Sequence, residues 1–191
     1  MRKLSVGWVV CLTALAALVM VLPLSEAADI ACPTLTNGER CQGVLATCVG
    51  TGDGDNITEQ VAGTSNVIVA GKSPSKDTLN DDQITLGDGN NTICAGWGDD
   101  TITVGDGTNH IYGGWGDDTI IVNTTTGNGI NTIQGGWGED SITVNGPGNA
   151  GNTIRGGQDD DEIVSPLGTI DGGPGEDTCS GGATEVACEL D

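Results

Sequence analysis

Six aspartates of this chain, Asp82, Asp100, Asp118, Asp140, Asp161 and Asp177, follow one another at intervals of 18, 18, 22, 21 and 16 residues. Three of them hold the sixth place of nearly identical phrases, AGWGDDTITV from Ala95, GGWGDDTIIV from Gly113 and GGWGEDSITV from Gly135. A carboxylate at a fixed place among glycines is oxygen-donor chemistry. Glycine adopts positive φ and lets backbone carbonyls turn toward a common point, and the aspartate brings a charge to the same point. A hard cation such as calcium takes about six to eight such oxygens in a forgiving geometry. The candidate ligands are Gly96, Gly98 and Asp100; Gly114, Gly116 and Asp118; Gly136, Gly138 and Asp140; Gly157, Asp159 and Asp161; and Gly173, Gly175 and Asp177.

Between these phrases runs a second series, LGDGNNTIC ending at Cys94, VGDGTNHIY ending at Tyr112 and TGNGINTIQ ending at Gln134. Here Asn91, Asn109 and Asn131 stand where the first series has aspartate. The unit is therefore about nine residues, six in a glycine-rich turn and three in a short strand with an aliphatic centre. Two units make one coil. Ile84, Ile93, Ile102, Ile111, Ile120, Ile133, Ile142, Ile154 and Ile163 all point inward, because neighbours on a strand alternate faces. Stacked coils bury an aliphatic ladder that no single coil buries alone. Helical periodicity is absent from the chain after residue 27.

Stacking at about 4.8 Å sets like turns over one another. The pairs Asp100 with Asp118, Asp118 with Asp140, Asp140 with Asp161 and Asp161 with Asp177 then give up to four cation sites, with carbonyls of the glycine turns completing each shell. The acidic neighbours Asp99, Asp117, Glu139, Asp160 and Glu176 add negative potential and mostly face solvent. Asn123 to Thr126 and Pro147 to Ala150 add residues in turns, where a stacked fold tolerates them. Lys72 to Asn80 interrupts the period with a polar loop, and Asn66-Val67-Ile68 and Gly52-Asp53-Gly54-Asp55 look like degenerate units.

The N-terminus reads as an export signal. Arg2 and Lys3 precede an apolar run from Val6 to Leu24, and Ser25-Glu26-Ala27 is a small-x-small cleavage pattern that predicts a start near Ala28. The run approaches the roughly 18 to 20 residues of a membrane span, yet its position and cleavage pattern favour removal over a retained anchor. No leucine-type box precedes Cys32, which argues against a lipoprotein anchor. Cleavage leaves 4 basic and 26 acidic side chains, a formal charge of −22, and makes nucleic acid an unsuitable partner. Without phenylalanine and with one tyrosine, the core must be narrow. Cys32, Cys41, Cys48, Cys94, Cys179 and Cys188 form an even set that suggests disulfides in an exported chain. Six cysteines allow about 15 pairings, and only Cys179 with Cys188 is close enough in sequence to propose.

On these phrases the chain resembles the RTX, or haemolysin-type, calcium-binding β-roll family, whose nonapeptide is GGxGxDxUx. GGWGDDTII from Gly113, GGWGEDSIT from Gly135 and GGPGEDTCS from Gly172 match, the last with Cys179 at the aliphatic place. AGWGDDTIT from Ala95 lacks only the first glycine. GGQDDDEIV from Gly156 carries Asp159 in place of the fourth-position glycine, an irregular turn. The resemblance spans roughly residues 82 to 182. It implies a right-handed parallel β-roll, an all-β β-solenoid of about five 18-residue coils, with Ca2+ as the bound ion. Toxin and protease members carry a C-terminal export signal and an effector segment, whereas this chain has an N-terminal signal and no effector, so the toxin function does not transfer. Its asparagine series predicts weak calcium binding or none on the second edge, similar to the one-sided calcium edge of a bacterial ice-binding adhesin repeat.

Trp97, Trp115 and Trp137 share one turn position and predict an outward aromatic ladder. It either stacks on itself to shield the turns or offers a strip for an extracellular glycan or protein. Thr101, Thr103 and Thr143 suggest an ice-binding face, but Ile121 and Ser141 break the array and threonine is common on exposed strands. His110, the only histidine, has no accompanying nucleophile motif, and the carboxylate pairs are accounted for as cation ligands, so no enzyme is expected. The organisation read here is a signal at 1–27, a cysteine-containing N-terminal cap at 28–64, a calcium-binding β-roll at 65–182 and a disulfide-closed tail at 183–191. Mutual repulsion of its carboxylates predicts a chain that is largely unfolded without calcium and rich in β structure with it, secreted or displayed at the cell surface in a structural or adhesive role.

Overall fold

The computed structural model describes residues 29–32, 40–50, 54–59, 63, 65–71, 80–181 and 184–188. The expected signal at 1–27 lies outside the described residues, as does 72–79 of the interrupting loop.

Thr, Ile and Val alternate in runs of three to six residues between Gly and Asn turns, and each run is a strand. The first half of the chain supplies β1 (Asp29–Cys32), β2 (Arg40–Cys41), β3 (Val44–Leu45), β4 (Cys48–Val49), β5 (Asn56–Glu59), β6 (Val67–Val69), β7 (Gln83–Thr85), β8 (Thr92–Trp97) and β9 (Thr101–Val104). The second half supplies β10 (His110–Trp115), β11 (Thr119–Asn123), β12 (Thr132–Trp137), β13 (Ser141–Asn145), β14 (Thr153–Gln158), β15 (Glu162–Ser165), β16 (Thr169–Asp171), β17 (Thr178–Gly181) and β18 (Thr184–Val186). Two eight-stranded parallel sheets result, one in the order β1-β5-β7-β9-β11-β13-β15-β17 and the other β18-β16-β14-β12-β10-β8-β6-β4. From β7 onward the chain passes from one sheet to the other at every turn. This is the expected all-β solenoid, with about five coils in the repeat and the same sheets running past it at both ends.

Isoleucine stacks on isoleucine in register: Ile84, Ile102, Ile120, Ile142 and Ile163 through one sheet, and Ile93, Ile111, Ile133 and Ile154 through the other. All nine are at most 1% exposed, and Ile57, Ile68 and Ile170 extend the ladder. Each fully buried side chain contributes roughly 1.5–3 kcal/mol, a gain realised only when a neighbouring coil covers it. Leu86, Val104, Val122 and Val144 form a second inward row in the first sheet. In the second sheet the equivalent inward places are Ala95, Gly113, Gly135 and Gly156, all buried and all small, because the aspartate turns fold in against them.

Within the segment read as an N-terminal cap, β1 and β5 extend one sheet of the roll and β4 the other. The antiparallel hairpin β2–β3 lies outside them and is fixed by a Cys41–Cys94 disulfide, Cα to Cα 5.7 Å. Cys179 is bonded to Cys188, as proposed, also at 5.7 Å. Both bonds suit an oxidising compartment. On the outer face Thr85, Thr103, Ile121, Thr143 and Val164 align, and so do Thr101, Thr119, Ser141 and Glu162, so the threonine array is interrupted where the sequence indicated.

Candidate metal centre

Each turn of the aspartate edge is short enough that its carboxylate folds inward over the backbone rather than out to solvent. Asp100, Asp118, Asp140, Asp161 and Asp177 are 1–3% exposed and stand in one column. One oxygen of each is committed to holding the coils in register. Asp82 N–H donates to Asp100 Oδ1 (2.7 Å), Asp100 N–H to Asp118 Oδ1 (2.9 Å), Asp118 N–H to Asp140 Oδ1 (2.9 Å), Asp140 N–H to Asp161 Oδ1 (2.8 Å) and Asp161 N–H to Asp177 Oδ1 (2.9 Å). The other oxygen, Oδ2, is buried in all five and has no hydrogen-bond partner among the described residues. A buried carboxylate oxygen without a partner is costly, and five in a column define a line that wants positive charge.

Burial is the first cause of the shifts that follow. It pushes Asp100 up to about 9, Asp118 to about 8, and Asp82, Asp140 and Asp161 to about 7; the backbone N–H of the neighbouring coil opposes this, and the adjacent carboxylates add to it.

The asparagine edge is an internal comparison of the same backbone. Asn91 N–H donates to Asn109 Oδ1 (3.2 Å), Asn109 N–H to Asn131 Oδ1 (3.1 Å) and Asn131 N–H to Asn152 Oδ1 (2.9 Å), repeating the aspartate pattern. Where the aspartates carry an orphaned oxygen, Asn91, Asn109 and Asn131 carry an amide that donates. Asn91 Nδ2 reaches Gly89 O (3.3 Å) and Asn109 Oδ1 (3.1 Å), and Asn109 Nδ2 reaches Gly105 O (3.3 Å), Gly107 O (3.4 Å) and Asn131 Oδ1 (3.0 Å). The amide N–H groups supply to those oxygens what a cation would supply on the other edge. Among the described residues the asparagine column leaves one buried atom without a partner, Asn152 Nδ2, where the aspartate column leaves five.

The predicted glycines fall into two columns beside the aspartates. Gly96, Gly114, Gly136 and Gly157 pair in register, with Gly173 continuing them against Gly157 O. Gly98, Gly116, Asp159 and Gly138 form the fourth-position column with Gly175. At φ of 116–119° in Gly98, Gly116 and Gly138 a side chain is strained, and a Cβ would also strike the carbonyl of the coil before, at 2.4 Å or less. Asp159 holds the place at φ 76°, a left-handed conformation that aspartate tolerates better than most residues, so the irregular turn keeps its path. Gly175, after Pro174, lies outside the left-handed region.

The spacing did not single out the first-position glycines, and the structure puts them at the site. The point where a Cβ would stand on Gly113 is 2.2 Å from Asp118 Oδ2 and 2.8 Å from Gly135 O of the next coil; on Gly156 it is 2.1 Å from Asp161 Oδ2 and 2.7 Å from Gly172 O. A carboxylate oxygen and a neighbouring carbonyl therefore converge in front of a bare Cα. Among the described residues no three acidic, histidine or cysteine side chains converge. A cation held here takes a carboxylate from the turn and the rest of its shell from carbonyls, the donor set of calcium rather than of zinc. Asp82 and Asp55 also join the column, both 2% exposed and linked by Asp55 N–H to Asp82 Oδ1 (2.6 Å).

The fifth-position acids are exposed, as expected, and also bonded in the opposite sense. Asp81, Asp99 and Asp117 each accept from the backbone N–H of the following coil, at Asp99, Asp117 and Glu139 (2.9–3.0 Å), and Asp160 accepts from Glu176 N–H (2.8 Å). Trp97, Trp115 and Trp137 stack on one another, with centroids 5.1 and 4.8 Å apart and planes within 9° and 2°. Both faces of Trp115 are covered, so the ladder presents ring edges along its middle.

The chain matches the family model of the RTX calcium-binding nonapeptide repeat, four copies, over residues 77–102, 95–123, 125–146, 147–165 and 169–184. Neither a curated protein nor a solved structure gives a significant match.

Proposed function

The chain belongs to the RTX calcium-binding nonapeptide repeat family, and we propose from that premise that it is a secreted calcium-ion-binding repeat protein in which calcium drives folding and the loaded roll serves an extracellular structural or adhesive role. The observation that carries this reading is the asymmetry of the two edges: among the described residues Oδ2 of Asp100, Asp118, Asp140, Asp161 and Asp177 lacks a partner, while the amides of Asn91, Asn109 and Asn131 have theirs. Ions on the aspartate edge neutralise a column of like charges and cross-link successive coils. The disulfides agree with an oxidising, extracellular setting. No catalytic role belongs to this reading. Calorimetric titration of the chelator-stripped chain tests it: saturable calcium binding is expected, and no binding at millimolar calcium overturns it.

A second reading, a carbohydrate- or surface-binding module, has one observation in its favour. A cavity of about 350 Å3 beside Trp137 is lined by Gln42, Tyr112, Gln134, Gln158 and glycine backbone, with no charged residue. In so acidic a chain an uncharged groove suits a neutral glycan. A glycan array probed with the calcium-loaded protein decides it, and no bound glycan removes it.

A further inference from the structure

Register runs one column of first positions through the roll, Gly50, Ala70, Ala95, Gly113, Gly135, Gly156 and Gly172. On the four glycines after Ala95 a Cβ would stand 2.1–2.4 Å from the Oδ2 of Asp118, Asp140, Asp161 and Asp177, and on Gly50 2.5 Å from that of Asp55. No real methyl makes so short a contact. Each Oδ2 packs against a bare Cα, as it can only because the residue is glycine. Ala70 and Ala95 carry that methyl, and both are completely buried.

The Asp82 turn is closed a second time. Asn80, also completely buried, donates from Nδ2 to Asp82 Oδ2 at 3.3 Å, while Asp82 Oδ1 accepts from Asp55 N–H. Asp82 is thus satisfied at both oxygens, and the orphaned oxygen at this turn is Asn80 Oδ1, a neutral amide oxygen rather than a carboxylate.

We propose that the first-position residue sets where the ion column begins within the regular repeat. The methyls of Ala70 and Ala95, with the Asn80 amide, close the Asp82 and Asp100 turns to calcium, so that Asp100 Oδ2, orphaned like the four after it, goes without an ion, and ions are taken from the Asp118 turn onward. This rests on the calcium reading above. It makes Ala95 a specificity-determining residue: a single methyl fixes the number of ions on an otherwise continuous column of aspartates.

Native mass spectrometry of the calcium-loaded full chain counts the ions directly. Ala95→Gly is expected to add one calcium to the wild-type count, and Gly113→Ala to remove one, since alanine is already accommodated at that place in two coils. An unchanged count for Ala95→Gly, in a wild type that binds calcium, overturns the proposal alone. A wild type that binds none overturns the calcium reading and the proposal together.

Discussion

The backbone N–H of Asp118 donates to Oδ1 of Asp140 at 2.9 Å, and Oδ2 of that same carboxylate is buried with no partner among the described residues. One side chain therefore fixes register with one oxygen and leaves the other for an ion. Asp140→Asn keeps the first and replaces the second with an amide, as the roll already does at Asn109. In chelator the variant is expected to be more stable than wild type by about 1–3 kcal/mol, the usual cost of a buried unsatisfied group. Its calcium affinity falls. The folded fraction in chelator, read by circular dichroism, and calorimetric calcium titration check the two, and an equal folded fraction in chelator contradicts the role assigned to Oδ2.

Acid is expected to substitute in part for calcium. Unfolded aspartates titrate near 3.9, whereas in the roll burial holds Asp140 and Asp161 near 7, Asp118 near 8 and Asp100 near 9. Between these values the folded chain binds more protons, so the ion-free roll is most stable below about pH 4 and loses stability as pH rises through 7 to 9. Calcium requires the ionised form, so its affinity rises over the same window and binding releases protons. The folded fraction in chelator at pH 5 and at pH 8.5, read by circular dichroism, checks the first part, with more structure expected at pH 5. Calorimetry in two buffers of different ionisation enthalpy checks the second.

Trp115 has a stacked partner on both faces, and Trp97 and Trp137 each have one within the ladder. A stacked pair is worth about 0.5–1.5 kcal/mol beyond its buried area. Trp115→Ala is expected to cost roughly twice what Trp137→Ala costs in the calcium-loaded form. Chemical denaturation of the two variants gives the ratio, and equal small losses would mean that the stack does not shield the turns.

Cys41–Cys94 closes 53 residues and Cys179–Cys188 closes 9. Loop-closure entropy alone then predicts a loss of about 4 kcal/mol for the Cys41→Ser/Cys94→Ser double variant and about 2.5 kcal/mol for the Cys179→Ser/Cys188→Ser double variant. Denaturant midpoints in calcium test the order.

The sequence made legible what repeats. The spacing from Asp82 to Asp177 marked the acidic column, and the isoleucines marked the core, because in a stacked fold the interval along the chain is the interval through the structure. Interruptions hid the rest. Asp55 reaches Asp82 across 27 residues, half as far again as the 18-residue period, so its place in the column was lost in the loop between them. Asn80 sits at the end of that same loop, and nothing in the period indicates that its amide meets Asp82. The Cys41–Cys94 bond joins a hairpin that has no repeat to a strand that has one. Ala95 was visible as a departure from the nonapeptide, but the meaning of its methyl depends on where Oδ2 points, which spacing does not carry.

The central claim is that the aspartate edge is incomplete without calcium. Far-UV circular dichroism of the same chain at neutral pH, first in excess chelator and then in millimolar calcium, tests it most directly. A weakly structured spectrum that converts to a β-rich one on adding calcium is the predicted result. The same β-rich spectrum in both conditions would contradict it.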